Sequence, residues 1–280
     1  MSSQAIEVLL MWGAVTAYAV AAILFTVGFV FRKDKLITAG LWVAMLGLAP
    51  HAIAVTVRWI RVGHGPYLGY YEVVSSYAFI AVAMLGIVSR KYRALAVAGV
   101  IVMPVAFVLL AGAMLTPKSG LEITAKLASW WLAIHVTFAK LAFASFIASF
   151  ALAAVYLARE RLESGRFGDA FARLPRQEII DDLSFKFIGV GFIFLGIMIA
   201  AGAIWANEAW GRYWAWDPIE TWSLIAWIVY AVYLHLRLTL GWRGKRAAWV
   251  AFAALPVVLF SFIGVPIVYN SIHGAYLTGY

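Results

Sequence analysis

Six tryptophans, Trp205, Trp210, Trp214, Trp216, Trp222 and Trp227, fall within 23 residues of a 280-residue chain that has thirteen in all. Four of them lie in WGRYWAWDPIETW, residues 210–222, which adds Arg212 and the carboxylates Asp217 and Glu220. Two chemistries are open to such a run. Tryptophan suits a membrane–water boundary, because its ring is apolar and its one N–H polar, so the run can be an anchoring belt. Crowded into one connection, the same rings offer large flat faces at small cost in conformational entropy, a platform for a planar apolar ligand. Neither acid needs a catalytic role: Asp217 at an N-cap, Pro218 at N1 and Glu220 at N3 make a capping box for the helix that follows. No catalytic residue is assigned.

Metal chemistry, if present, falls to the five histidines, the carboxylates or the methionines, because the chain has no cysteine. Disulfides and thiolate ligands within the chain are excluded.

Composition places these residues in a bilayer. The chain is 65% hydrophobic and 12% charged, with mean hydropathy +0.90, which excludes an ordinary polar-surfaced globule. Runs long enough to cross about 30 Å of hydrocarbon as helices occur near 6–31, 36–57, 71–89, 94–115, 130–158, 184–205, 219–240 and 247–269. The expected fold is therefore an all-α integral membrane protein of about eight transmembrane helices, a single domain over 1–280. The first run has no basic start and no small-residue cleavage site, so it reads as a retained span. Two connections stand out: the tryptophan loop, 206–222, and a mixed-charge connector, 159–183.

The +9 net charge is explained by placement, without a nucleic acid. Sixteen of the 22 Lys and Arg follow spans 1, 3, 5 and 7, and five follow spans 2, 4 and 6, with Lys140 inside span 5. By the positive-inside rule the odd connections face the cytoplasm, and both termini and the tryptophan loop face outward.

That topology sorts the histidines. His135 lies five residues past Trp130, His273 follows span 8, and His64 sits in VGHGPYLG, so three of the five share the face of the tryptophan loop. A single membrane histidine is commonly a packing or hydrogen-bonding residue. Two flanking a flat aromatic surface suit the axial positions of a haem iron. The outer cations available to propionates are Arg58, Arg61, Lys126 and Arg212. His235 is counted about 22 Å below the outer surface and His51 about 22 Å above the cytoplasmic end of span 2. The resulting depth difference of roughly 15 Å is too large for one iron.

The run from Trp210 through Trp214, Trp216 and Asp217 to Trp222 resembles the tryptophan-rich WWD signature of the haem-handling proteins of cytochrome c biogenesis. RWIRVGHGP at 58–66 is similar to a loop of its CcsA (ResC) branch, and YLHLR at 233–237 resembles that branch's histidine at the end of the helix after the signature. The resemblance, over about 42–280, implies that His135 and His273 are outer axial ligands and that Trp210, Trp214, Trp216, Asp217 and Trp222 form the haem surface. It implies that His235 is an intramembrane haem ligand used during haem export. It also implies haem b as a non-covalent substrate, an apocytochrome c CxxCH segment as acceptor, and a CcsB (ResB)-type membrane subunit as partner. The chain would be the haem-binding half of a cytochrome c synthase. It would sit in a bacterial or archaeal cytoplasmic membrane, or a thylakoid membrane, with its active face extracytoplasmic. Three alternatives stay open on the residues alone: haem delivery to a chaperone as in CcmC-type proteins, a di-haem b-type electron-transfer subunit, and a haem-free transporter.

Overall fold

The computed structural model describes residues 2–116, 127–162 and 174–270. Helices α1 (Ser3–Val30) and α2 (Asp34–Val62) form an antiparallel pair, followed by α3 (Tyr70–Lys91). A 3-10 turn, Arg93–Ala98, leads into α4 (Gly99–Met114). Helices α5 (Trp130–Leu162) and α6 (Gln177–Trp210) make the second extensive antiparallel pair. Next come α7 (Pro218–Leu238) and α8 (Lys245–Leu259). A π turn, Phe260–Gly264, carries α8 into the short α9 (Val265–Val268). Eight of these helical segments are long and apolar enough to cross a membrane, as the hydropathy runs predict.

Helices are the solution that hydrocarbon enforces, since a spanning segment must pair its backbone polar groups within the chain. Several extend past their apolar runs. α6 has 34 residues, so it is roughly 50 Å long. It absorbs residues 206–210 of the tryptophan connection and leaves 211–217 irregular. The connector at 159–183 is helical to Leu162 and again from Gln177, and its residues 163–173 lie outside the described residues.

Apolar side chains pack the middle of the bundle. The Phe146 and Tyr230 rings lie 3.7 Å apart at 6°, tying α5 to α7. Charges are paired at both ends. At the end bearing the tryptophan loop, hereafter the signature end, Glu7 of α1 is fully buried. Its Oε1 accepts from Arg58 Nη1 at 3.2 Å and its Oε2 from Arg61 Nη2 at 2.7 Å. Arg58 Nε also donates to Glu72 Oε1 of α3 at 2.6 Å. At the opposite, basic end Arg237 of α7 pairs with Asp181 of α6 at 2.7 Å, and the other Asp181 oxygen accepts from Gly244 N at 3.2 Å.

Removing one member of a buried ion pair strands its partner. Glu7→Ala should therefore cost about 3 kcal/mol, whereas Lys186→Ala, which breaks the exposed pair with Asp182, should cost under about 1 kcal/mol. Unfolding by SDS in mixed micelles measures both, and equal effects would refute the ranking.

Candidate functional site

A cleft opens at the signature end between α3, α5, α6, α7 and the π turn of α8, with about 1070 Å³ of empty space counted to its mouth. Tyr67, Leu68 and Tyr77 line one side, His135, Val136 and Ala139 another, and Gly202 and Trp205 a third. Tyr213, Trp214 and Glu220 come from the signature, and Ser261, Phe262 and Pro266 from the far side.

His135 is half-buried on the first turns of α5, and its Nδ1 lies 2.8 Å from the Met198 carbonyl oxygen of α6. A carbonyl oxygen only accepts, so Nδ1 carries a proton, and in the neutral ring Nε2 carries the lone pair. Metal-binding imidazoles have this arrangement, one nitrogen anchored as a donor and the other held as a base. The imidazole fits because position 202 has no side chain: a Cβ on Gly202 would lie 2.5 Å from His135 Nδ1. Trp205, one turn further along α6, lies nearly parallel to the imidazole, 28° and 6.5 Å between centroids. Trp210 braces Trp205 edge-on at 4.8 Å.

The polar residues of the signature hold its backbone. Gly211 ends α6 in the left-handed region at φ +74°, its N–H donating to Asn207 O. Asp217 caps α7, accepting from Ile219 N at 3.0 Å. Glu220 Oε2 accepts from Asp217 N at 3.2 Å and also from Ala215 N at 2.8 Å. One carboxylate thus grips the backbone on both sides of Trp216 and holds it at φ +59°, where a bulky residue is strained. Trp216 is left 69% exposed, perpendicular to Trp214 at 5.8 Å.

Of the expected site residues, the cleft thus brings together His135 and Trp214. Trp210 stands behind Trp205, and Asp217 is buried in its cap. Trp222 packs edge-on against Phe260 at 4.6 Å. Arg212 is exposed at the start of the loop. His273 lies outside the described residues, as does Lys126. His235 is exposed on α7 towards the basic end. His51 is enclosed on α2, 3.1 Å from the Tyr18 hydroxyl and edge-on to Phe79. Arg58 and Arg61, read from the sequence as free outer cations, are instead committed to Glu7 and Glu72. His64 is buried beside Glu72, its Nδ1 within 2.9 Å of Gly65 O.

Sequence reasoning missed the loop at 64–68 as a cleft wall. Glu72 Oε2 accepts from Leu68 N at 3.3 Å, and Lys140 donates to Pro66 O. Burial, and after it the Glu72 carboxylate, raises the Tyr67 hydroxyl above its ordinary pKa, so it stays a neutral donor at the cleft. Gly202 and the Met198 carbonyl were also missed. The only signal for them was the density of tryptophan that begins at Trp205.

Residues 67–273 match the model of a family described as cytochrome C assembly protein. The cytochrome c biogenesis protein CcsA of Guillardia theta is 32% identical over 277 residues, covering 91% of each chain. That of Synechococcus sp. (strain CC9311) is 34% identical over 269 residues, 84% of this chain and 88% of the relative. The fold is similar to the solved cytochrome c haem lyase CcmF, with TM-score 0.71 at 18% identity. That likeness covers 100% of this chain and 49% of the CcmF chain.

Relief of the strain at position 216 is measurable. Trp216→Gly should stabilise the protein by about 1 kcal/mol, while Glu220→Ala should destabilise it by about 1–3 kcal/mol by leaving two N–H groups unpaired. SDS titration of the purified protein reads both, and a Trp216→Gly variant less stable than wild type would contradict the assignment.

Proposed function

This chain belongs to the cytochrome c assembly protein family, in its CcsA branch, and from that premise we propose that the signature-end cleft holds haem b as a substrate during its attachment to an apocytochrome c. One observation carries the reading. His135 Nδ1 is anchored on Met198 O, beside the Trp205 face in an aromatic cleft, which makes Nε2 the ligating nitrogen of the proposed site. This is what a haem iron needs from a protein ligand.

His135 ligates one face of the haem through Nε2, and His273 the other. Trp205, Trp214 and Tyr67 exclude water from the ring, and Trp210 and Trp222 hold those walls in place. Asp217 and Glu220 act on the backbone and leave the haem itself to the aromatic rings and the histidines. Arg212, exposed and without an acidic partner among the described residues, is a cation for the mouth of the site. The reaction adds each substrate S–H across a haem vinyl C=C, sulfur to one carbon and hydrogen to the other. With no cysteine in the chain, both sulfurs come from the CxxCH segment. The protein contributes orientation and protection of the haem.

His235 serves as the intramembrane ligand while haem is exported. It is exposed on α7, while His51 is buried on α2 against Tyr18 and Phe79, which supports a second ligand from outside this chain, supplied by a CcsB-type membrane subunit. The same difference counts against a di-haem b-type electron-transfer subunit, which needs facing histidine pairs. The charge asymmetry supports a cytoplasmic or thylakoid membrane location with the signature end and both termini on the extracytoplasmic side.

Absorption spectra of the purified protein test the reading. Wild type should show six-coordinate low-spin haem. His135→Ala should bind haem at least about tenfold more weakly, and Gly202→Ala should do the same by displacing the imidazole. A low-spin spectrum unchanged in both variants, or no haem in wild type, would overturn it.

A further inference from the structure

The far corner of the cleft contains two hydroxyls that the fold itself does not use. Ser261 lines the cleft, is 2% exposed, and its Oγ has no hydrogen-bond partner among the described residues. Helical serines usually return their hydroxyl to a carbonyl one turn back. Ser76, Ser145 and Ser223 do so, to Glu72 O, Leu141 O and Glu220 O. Ser261 differs because it lies in the π turn, where Val265 N reaches back five residues to Phe260 O. Such turns disturb the regular ladder and are common at functional sites. Pro266, which also lines the cleft, brings no N–H to that turn.

Tyr77 of α3 is the second. Its side chain is buried and lines the cleft, and its hydroxyl has no hydrogen-bond partner among the described residues. Its ring lies parallel to that of Phe262, at 5° and 6.0 Å, next to Ser261 in sequence. Tyr77 and Phe262 both lie against Phe143, with ring centroids 4.6 and 6.3 Å from it. Phe143 is about two turns further along α5 than His135, so this corner lies deeper in the bundle than the imidazole.

We propose that Tyr77 and Ser261 form a carboxyl seat at the closed end of the cleft. They donate hydrogen bonds to a propionate of the bound macrocycle and so hold its vinyl edge towards the mouth. The inference rests on the haem reading of the same cleft and adds the orientation to it. Haem b carries its vinyls and its propionates on opposite edges. A thiol arriving from outside can reach the vinyls only if the propionates point inward. The buried arginines cannot meet a propionate there, since Arg58 and Arg61 are tied to Glu7 and Glu72.

The test titrates detergent-purified full-length protein with iron protoporphyrin IX and with its dimethyl ester, which lacks the ionisable carboxyl, and follows the Soret band. Wild type should prefer the free acid. Tyr77→Phe and Ser261→Ala should each reduce that preference by roughly threefold to tenfold, and the double variant should abolish it. His135→Ala should weaken both porphyrins alike and leave the ratio unchanged. A double variant that retains the wild-type preference, or a wild type that binds acid and ester equally, overturns the carboxyl seat while leaving haem binding intact. If neither porphyrin gives a His135-dependent spectrum, the haem reading fails and the seat with it.

Discussion

Everything in this molecule answers to one constraint: within hydrocarbon, an N–H, a carbonyl or a charge that lacks a partner has no water to fall back on. The helices meet it for the backbone. The charges meet it by pairing across long sequence distances, Glu7 with Arg58 and Arg61, and Asp181 with Arg237. Against that background the cleft is lined by polar groups that a ligand can meet. His135 is anchored through Nδ1 on Met198 O. Ser261 has a buried hydroxyl with no hydrogen-bond partner among the described residues. An unsatisfied group that lines a cleft can be met by what binds there, whereas one enclosed in the bundle, such as Ser89, cannot.

The signature divides its labour by residue type. Asp217, Pro218 and Glu220 start α7, and Glu220 also reaches Ala215 N. That extra bond turns a helix cap into a clamp, because it fixes the two peptides flanking Trp216. The strain at Trp216 is sustained by this grip and by the helix it caps. Its consequence is a ring held out at the mouth, perpendicular to Trp214 on the cleft wall. The carboxylates that would be the first suspects for acid–base chemistry are thereby consumed in geometry, which agrees with a reaction whose reactive groups belong to its substrates.

How far the sequence could be read follows from the range of each interaction. Hydropathy and length are local, so the eight spans were legible, and so was the capping box at 217–220. The position of His135 near one end of its span was legible too. What made it a candidate ligand was not, because the Met198 carbonyl is 63 residues away and Gly202 counts only once α5 lies against α6. The same limit explains the arginines. Arg58 and Arg61 looked available because Glu7 is more than fifty residues upstream. Trp210 and Trp222 lie in the signature but face Trp205 and Phe260, since a helix end turns successive side chains in different directions. Side-chain direction is a tertiary fact that density of tryptophan does not encode.

The two ends of the bundle are built for different tasks, and the difference follows from how each imidazole is held. At the signature end, His135 is enclosed by Trp205 and by the space left at Gly202, so a ligand bound there meets a fixed orientation. Loop 64–68 completes that enclosure, pinned by Glu72 at Leu68 N and by Lys140 at Pro66 O. Towards the basic end, His235 is exposed on α7 with no such cradle, while Arg237, two residues on, is locked to Asp181. An unenclosed imidazole on a firmly anchored helix can bind only transiently unless a neighbouring protein completes its site. A ligand moving between the two ends would pass from a loosely held state to an oriented one. In that order, orientation is imposed only where the cleft opens to the acceptor.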